Sequence, residues 1–232
     1  MTQNESAVNN TNLAQSDVRE VLQYVPIFRG QTFLVALDGE VLSDTVMAEV
    51  LLDLISLQNI GVQLVLSYVG QAEREFLDWA AEVELKVCVG SENSSVESIL
   101  SRGQAAFIAR SEGGVMDGEL VDLAIRIGVD KILYLGDGEY TRGLERALNV
   151  KEAKAALEPL EEHGVPSYAI QAVQRGVKRV HLLDGNMLGC LSRELFSNEG
   201  VGVMIYADSY LCLLYTSPSP RDGATSRMPS SA

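Results

Sequence analysis

The pattern of apolar and polar positions changes period at regular intervals from residue 32 onward. "TFLVAL", Thr32 to Leu37, is a nearly continuous apolar run, as a strand buried on both faces requires. Ser43 or Asp44 can then cap a helix in which Val46, Val50, Leu54 and Leu57 recur at helical spacing, and Gly61 stands where such a helix stops. The two signatures repeat along the chain. "VQLVLSY", "LKVCVG", "AAFIAR", "KILYLGDGE", "VKRVHLLD" and "VGVMIYA" read as strands. "AEREFLDWAAEV", "SSVESILSRG", "GELVDLAIRIG", "NVKEAKAALEPLEEHG", "YAIQAVQRG" and "LGCLSRELFSNEG" read as helices between them. Asn149 and Glu152 stand three apart, as in a capping box, and Pro159 is expected to kink or end that helix. Strands alternating with helices predict an α/β protein: a three-layer αβα sandwich around a mostly parallel sheet. There is no internal repeat.

Composition narrows this picture. The chain has 232 residues, 47% of them apolar, enough for one sizeable core or for one domain and a tail. A net charge of −14 argues against nucleic acid, whose phosphates attract Lys and Arg, and against an anionic membrane surface. No apolar run reaches the length of a transmembrane helix. The start, "MTQNESAVNNTNLAQSD", lacks the basic opening and apolar centre of a secretory signal and has no Arg before Arg19, unlike a transit peptide. Residues 1–18 are expected to be disordered. Cys88, Cys190 and Cys212 lack metal-ligand spacing; no metal is expected, and a reducing compartment, cytoplasm or plastid rather than secretion, fits them. From Leu211 the text changes to "LCLLYTSPSPRDGATSRMPSSA", which holds half of the six prolines and breaks the strand–helix rhythm. It resembles translated adapter or vector sequence and is set aside as residues 211–232, leaving 19–210 as the folded domain.

One stretch carries candidate chemistry. In "TFLVALDGE" a strand feeds a Gly-bearing turn and a helix, the place where α/β proteins hold phosphates on backbone N–H groups. The turn here reads Asp38-Gly39, and Ala36 precedes it by two residues.

"GVKRVHLLDGNMLGCLSRELFSNEGVGVMI", Gly176 to Ile205, resembles the end of the amino-acid-kinase-like domain of the N-acetylglutamate synthases, with its pattern G-V-x-R-x-H-L-L-D-G … L-x-x-E-L-F-x-x-x-G-x-G-T. The plant and algal forms are nearest, through "VHLLDG". "YVPIFRGQTFLVALDGE" is similar to the family's opening, "GVQLVLSYVG" to its second strand and loop, and "GVDKILYLGDG" to its A-D-K-L-x-x-x-x-D-G. The resemblance spans about Tyr24 to Tyr210, and the related N-acetylglutamate kinases share the fold.

The resemblance implies an amino-acid-kinase (carbamate-kinase-like) fold, shortened between about Glu84 and Ser94, and a chain without kinase chemistry. The kinases place a Lys before the first loop and Gly-Gly within it; Ala36 and Asp38 occupy those positions, with Gly39 retained. The second loop, "SYVGQAE", has a single Gly, and no Lys lies between Lys154 and Lys178 where the kinases carry a second one. Asp137 and Lys131 stand at positions matching kinase residues, so Ala36, Asp38, Gly39 and Asp137 mark a vestigial nucleotide loop. In the synthases an acetyltransferase domain follows and takes acetyl-CoA as substrate; this chain is expected to carry no catalytic residues and no cofactor of its own. Arginine-sensitive members bind L-arginine near the last strand–helix–strand unit and an N-terminal helix. Carried across, that site comprises His181, Glu194, Gly200 and Gly202, with Glu194 facing the guanidinium. Val203 stands where the family usually has Thr. Tyr24 matches an aromatic that mediates oligomer contacts, so a homo-oligomer is expected. The alternatives are an N-acetylglutamate kinase and a non-catalytic subunit-contact domain.

Overall fold

The computed structural model describes residues 23–90, 96–110, 114–157, 164–197 and 200–207. The expected disorder of residues 1–18, the tail 211–232, Pro159 and the last part, 91–94, of the supposed central shortening lie outside them.

Eight strands form one sheet in the order β3-β4-β2-β1-β5-β7-β8-β6. They are β1 (Thr32–Asp38), β2 (Gln63–Val69), β3 (Val87–Val89), β4 (Ala105–Arg110), β5 (Lys131–Gly136), β6 (Ala147–Asn149), β7 (Arg179–Asp184) and β8 (Val203–Tyr206). Every pairing is parallel except β7 with β8, where Val180 faces Ile205 and His181 faces Met204. Parallel neighbours need long return segments, and helices supply them.

Successive strand residues point to opposite faces, so each central strand feeds two cores. Leu34, Ala36, Val65 and Ile132 join one cluster, beneath helices α4 (Val96–Ser101), α5 (Gly118–Ile127), α6 (Val150–Leu157) and α7 (Val165–Gln174). Phe33, Val35, Leu64 and Leu133 join the other, covered by α2 (Asp44–Asn59), α3 (Glu73–Glu82), α8 (Cys190–Leu195) and Phe28 of a short helix, α1, over residues 23–28. Helices on both faces of a mostly parallel sheet complete the expected three-layer sandwich.

Local signals explain most boundaries. Ser43 caps α2, its Oγ accepting from the Val46 N–H. The capping box forms in full: Asn149 Oδ1 accepts from Lys151 and Glu152, and Glu152 Oε2 accepts from the Asn149 N–H at 2.9 Å. Asn149 also ends β6, a three-residue strand that no periodicity announces. Helix α7 starts at Val165, earlier than its apolar repeat suggests, because Pro166 is preset for a first helical turn. Helix α8 is shorter than expected and ends at Leu195; the chain beyond turns back toward Glu194.

Candidate functional site

The C-terminal ends of the parallel strands, where α/β proteins hold ligands, carry three Asp-Gly turns. Asp38, Asp137 and Asp184 close β1, β5 and β7, and each carboxylate accepts the backbone N–H two residues on, from Glu40, Glu139 and Asn186 at 3.2, 2.9 and 2.9 Å. Asp38 and Asp137 are therefore committed to their own turns. Burial raises the Asp38 carboxyl, and the charges of Asp137 and Glu40 add to that against the amide of Glu40. Phenols press close against the glycines of two of these turns. A Cβ on Gly39 would collide with the Tyr68 hydroxyl, and one on Gly136 with the Tyr134 hydroxyl. Ala36 is fully buried in β1 and contributes packing alone.

A second locus lies at the opposite end of the sheet. Lys131 opens β5, roughly 20 Å from Asp137 at about 3.3 Å per strand residue. Those two residues therefore share no site. A cavity of about 380 Å³ is lined here by residues that include Tyr24, Lys131, His181, Glu194, Gly200 and Gly202. Thus the four residues of the expected effector site, with Tyr24, meet around one cavity.

Glu194 is the hub. Its side chain is 5% exposed. One carboxylate oxygen accepts from His181 Nδ1 at 2.6 Å, and the other accepts from the N–H groups of Val201 and Gly202 at 2.7 and 2.8 Å. Burial alone would push this carboxyl up. The hydrogen bond and charge of His181, with the amides of Gly202 and Val201, outweigh it and bring Glu194 down to about 2. The loop is stitched further: Ser197 Oγ accepts from Gly200 N–H, and Arg146 donates to the Gly200 carbonyl at 2.7 Å. Gly200 has φ +62°, and a Cβ there would press on Glu194 Oε2 at 2.8 Å, so glycine is required at this approach. Glu194 is thus a strap for the 200–202 loop, with one lone pair left on the oxygen that His181 uses. That corrects the simpler expectation of a carboxylate standing free for a guanidinium.

His181 is buried in β7. Burial holds its imidazole below the usual histidine range, against the hydrogen bond and charge of Glu194. Because a carboxylate can only accept, Nδ1 is the ring nitrogen that donates to Glu194, and in the neutral ring this leaves Nε2 as the acceptor. That Nε2 is buried with no hydrogen-bond partner among the described residues.

Sequence reasoning noted Lys131 only as matching a kinase residue and did not place it, Arg146 or Arg179 at this cavity. Lys131 is 3% exposed, with its Nζ 4.0 Å from the Phe28 ring centroid and 4.7 Å from that of Phe33. Burial, joined by the Arg179 charge, lowers its ammonium to about 7 against the pull of Glu194 and Asp130. Among the described residues no carboxylate pairs with it. The available signal was a Lys leading an otherwise apolar strand, "KILYLG". Tyr24 stacks on Phe28 at 5.7 Å between centroids and meets Phe196 edge-on at 6.1 Å, so its described partners lie within the chain, at the cavity wall.

Among the described residues, no group of three or more His, Cys, Asp or Glu is placed to hold a metal ion, and no helix is long and apolar enough to cross a membrane.

The eight-stranded, mostly parallel sheet between two helical layers is the amino-acid-kinase fold. Two structures of N-acetylglutamate synthase from Neisseria gonorrhoeae share it. The one complexed with coenzyme A and N-acetyl-glutamate superposes with a TM-score of 0.69 at 19% identity, over 83% of this chain and 63% of that one. The one complexed with coenzyme A and L-arginine gives 0.65 at 19% identity, over 83% and 65%. Curated relatives are acetylglutamate kinases. That of Caldicellulosiruptor bescii is 27% identical over 95 residues, 37% of this chain and 32% of the relative. That of Prochlorococcus marinus strain MIT 9301 is 30% identical over 130 residues, 51% of this chain and 42% of the relative. The chain thus spans about a third to two fifths of the length of these curated relatives. No protein-family model matches it.

Proposed function

We propose that this chain is the kinase-inactive, arginine-sensing regulatory domain of an N-acetylglutamate synthase, which makes N-acetyl-L-glutamate from acetyl-CoA and L-glutamate in the first step of arginine biosynthesis. The observation that carries this reading is the convergence of His181, Glu194, Gly200 and Gly202 on one cavity, at the end of the sheet away from the Asp-Gly turns. At about 380 Å³ the cavity falls within the range of small-ligand sites. Its chemistry suits a zwitterion with a cationic tail. Lys131 lacks a carboxylate partner among the described residues and can receive an α-carboxylate, and Glu194 retains one acceptor position for a guanidinium N–H.

The names of the curated relatives favour a second reading, an acetylglutamate kinase. Residues at the Asp-Gly turns oppose it. A polyphosphate would meet the carboxylates of Asp38, Asp137 and Asp184 instead of backbone N–H groups and a Lys, and the Tyr68 and Tyr134 phenols press close against the glycines of two of these turns. In the arginine-sensing reading Tyr24 also serves a homo-oligomer contact through the N-terminal helix.

The test is calorimetric titration of L-arginine, and separately of Mg·ATP, into the full chain. Saturable heat with arginine, weaker heat with agmatine, which lacks the carboxylate, and none with Mg·ATP is the expected result. Mg·ATP binding with ADP release on N-acetylglutamate, and no response to arginine, would overturn the reading in favour of the kinase.

A further inference from the structure

The arginine reading leaves one chemical capacity of the cavity unused. Lys131 and His181 lie on the same face of neighbouring strands: Lys131 pairs with Arg179 in register and Leu133 pairs with His181, so the two side chains are diagonal neighbours. Both line the same cavity, which Arg146 and Arg179 also border. The Lys131 amine sits between the rings of Phe28 and Phe33, and no carboxylate among the described residues holds it as an ammonium. His181 Nε2 is a buried acceptor with no partner among the described residues. An amine in apolar surroundings, a base beside it and two guanidinium groups at the rim form a site for a small neutral electrophile that becomes an anion on capture.

We propose that Lys131 is a carbamylation site that takes up carbon dioxide, with His181 as the proton acceptor. The Nζ lone pair of the neutral amine forms an N–C bond to carbon dioxide, and one C=O π pair moves onto oxygen. The proton lost from nitrogen passes to His181 Nε2. No oxidant, metal or leaving group is needed. The product is a carbamate anion at the cavity wall, facing the Arg146 and Arg179 charges, with an imidazolium held between it and the Glu194 carboxylate. Capture therefore converts a buried neutral amine, without a carboxylate partner among the described residues, and an unpartnered imidazole nitrogen into a compensated set, and charge-assisted pairs of this kind are the strong ones. Neutral amine is available because burial lowers the Lys131 ammonium to about 7, whereas an ordinary exposed lysine stays charged at that pH. Carbon dioxide capture and receipt of an arginine carboxylate would use the same Lys131 amine and so exclude one another, but neither is a premise of the other.

The experiment uses the full chain in ¹³C-bicarbonate at mildly alkaline pH, read by ¹³C NMR. A trialkyloxonium reagent then traps any carbamate for peptide mass spectrometry. The expected result is a carbamate resonance that disappears on acidification, an alkylated carbamate on the peptide containing Lys131, and loss of both in Lys131→Met. Because the trap locates the adduct in the unmodified protein, the result does not depend on that variant folding. His181→Asn, which keeps a side-chain N–H for Glu194 but has no base, is expected to lower occupancy. No resonance, or trapped carbamate confined to the chain terminus and exposed lysines, would overturn the proposal.

Discussion

At the scale of single residues, the buried pair of Glu194 and His181 decides how the wall of the cavity beside β7 and α8 is held. Glu194 sits well below the usual carboxylate range, at about 2, so its contribution to stability is present above the unfolded value near 4.5 and is lost as pH falls toward 2. Glu194→Gln removes the charge that three donors share, and a hydrogen bond to a charged group contributes about 1.5–3 kcal/mol, so a loss of that order is expected. Chemical denaturation of this variant should show that loss at neutral pH, with a flattened acid limb between pH 4.5 and 2. An unchanged denaturation midpoint would return Glu194 to a purely ligand-binding role. Lys131 has the opposite sign. Its ammonium is lowered from 10.5 to about 7, so the unfolded chain binds more protons between those values and stability rises with pH across that window. Lys131→Met should remove the rise, as the slope of thermal midpoint against pH will show. Below pH 7 the variant should be the more stable protein, because methionine fills the same apolar slot without a charge to desolvate.

At the scale of elements, two helix caps of similar appearance should differ in weight. Asn149 caps α6 at an exposed end, and Asn149→Ala should cost about 1 kcal/mol, the usual value of a lost cap. Asp117 caps α5 through the Leu120 N–H, and its other oxygen pairs with Arg110, whose side chain is 5% exposed. Asp117→Ala therefore removes a cap and also strips a buried guanidinium of its close carboxylate partner, leaving the exposed Glu119 at 3.3 Å. A loss of about 3 kcal/mol or more is expected, from the cap together with the stranded charge. Asp117→Asn, which can still cap, should fall between the two. Urea denaturation of the three variants checks the order, and equal losses for Asp117→Ala and Asn149→Ala would show that the Arg110 pair contributes nothing.

At the scale of the whole molecule, the sheet separates two ends of opposite character. The strand ends that bear the Asp-Gly turns carry Asp38, Asp137 and Asp184, while the cavity at the other end is bordered by Lys131, Arg146 and Arg179, with Glu194 the acid among its lining residues. A ligand that binds only the folded chain raises its stability by about 2.7 kcal/mol at a hundredfold excess over Kd. L-arginine should therefore raise the thermal midpoint of the full chain, and Mg·ATP should leave it unchanged. A nucleotide-induced shift equal to that of arginine would mean that the acidic turns admit polyphosphate after all.

The local grammar of the fold was legible in the residues. Continuous apolar runs such as "TFLVAL" have no polar face to spare and so must lie inside a covered sheet, and β1 is buried on both faces as that demands. Ser43, Asn149 and Glu152 announced their caps because a cap is a contact between residues three apart. The resemblance also placed His181, Glu194, Gly200 and Gly202 in a common region. What the pattern did not contain was long-range. β6 is three residues long and exists because Met204 and Ile205 of β8 lie beside it, and β8 runs antiparallel to β7 after a turn in which the Gly202 N–H returns to Glu194 of α8. The fate of Glu194 was likewise decided elsewhere in the chain. An acid on an amphipathic helix reads as exposed, yet it is buried because the amides of Val201 and Gly202 and the imidazole of His181 converge on it. Lys131 shows the same division. Its place at the start of a strand follows from the run that comes after it, but its unpaired burial against Phe28 and Phe33 depends on how α1 and β1 pack over it. Periodicity reports a residue's neighbours within a few positions, whereas burial of charge is set by tertiary neighbours, 7 to 13 positions away for Glu194 and about a hundred for Lys131.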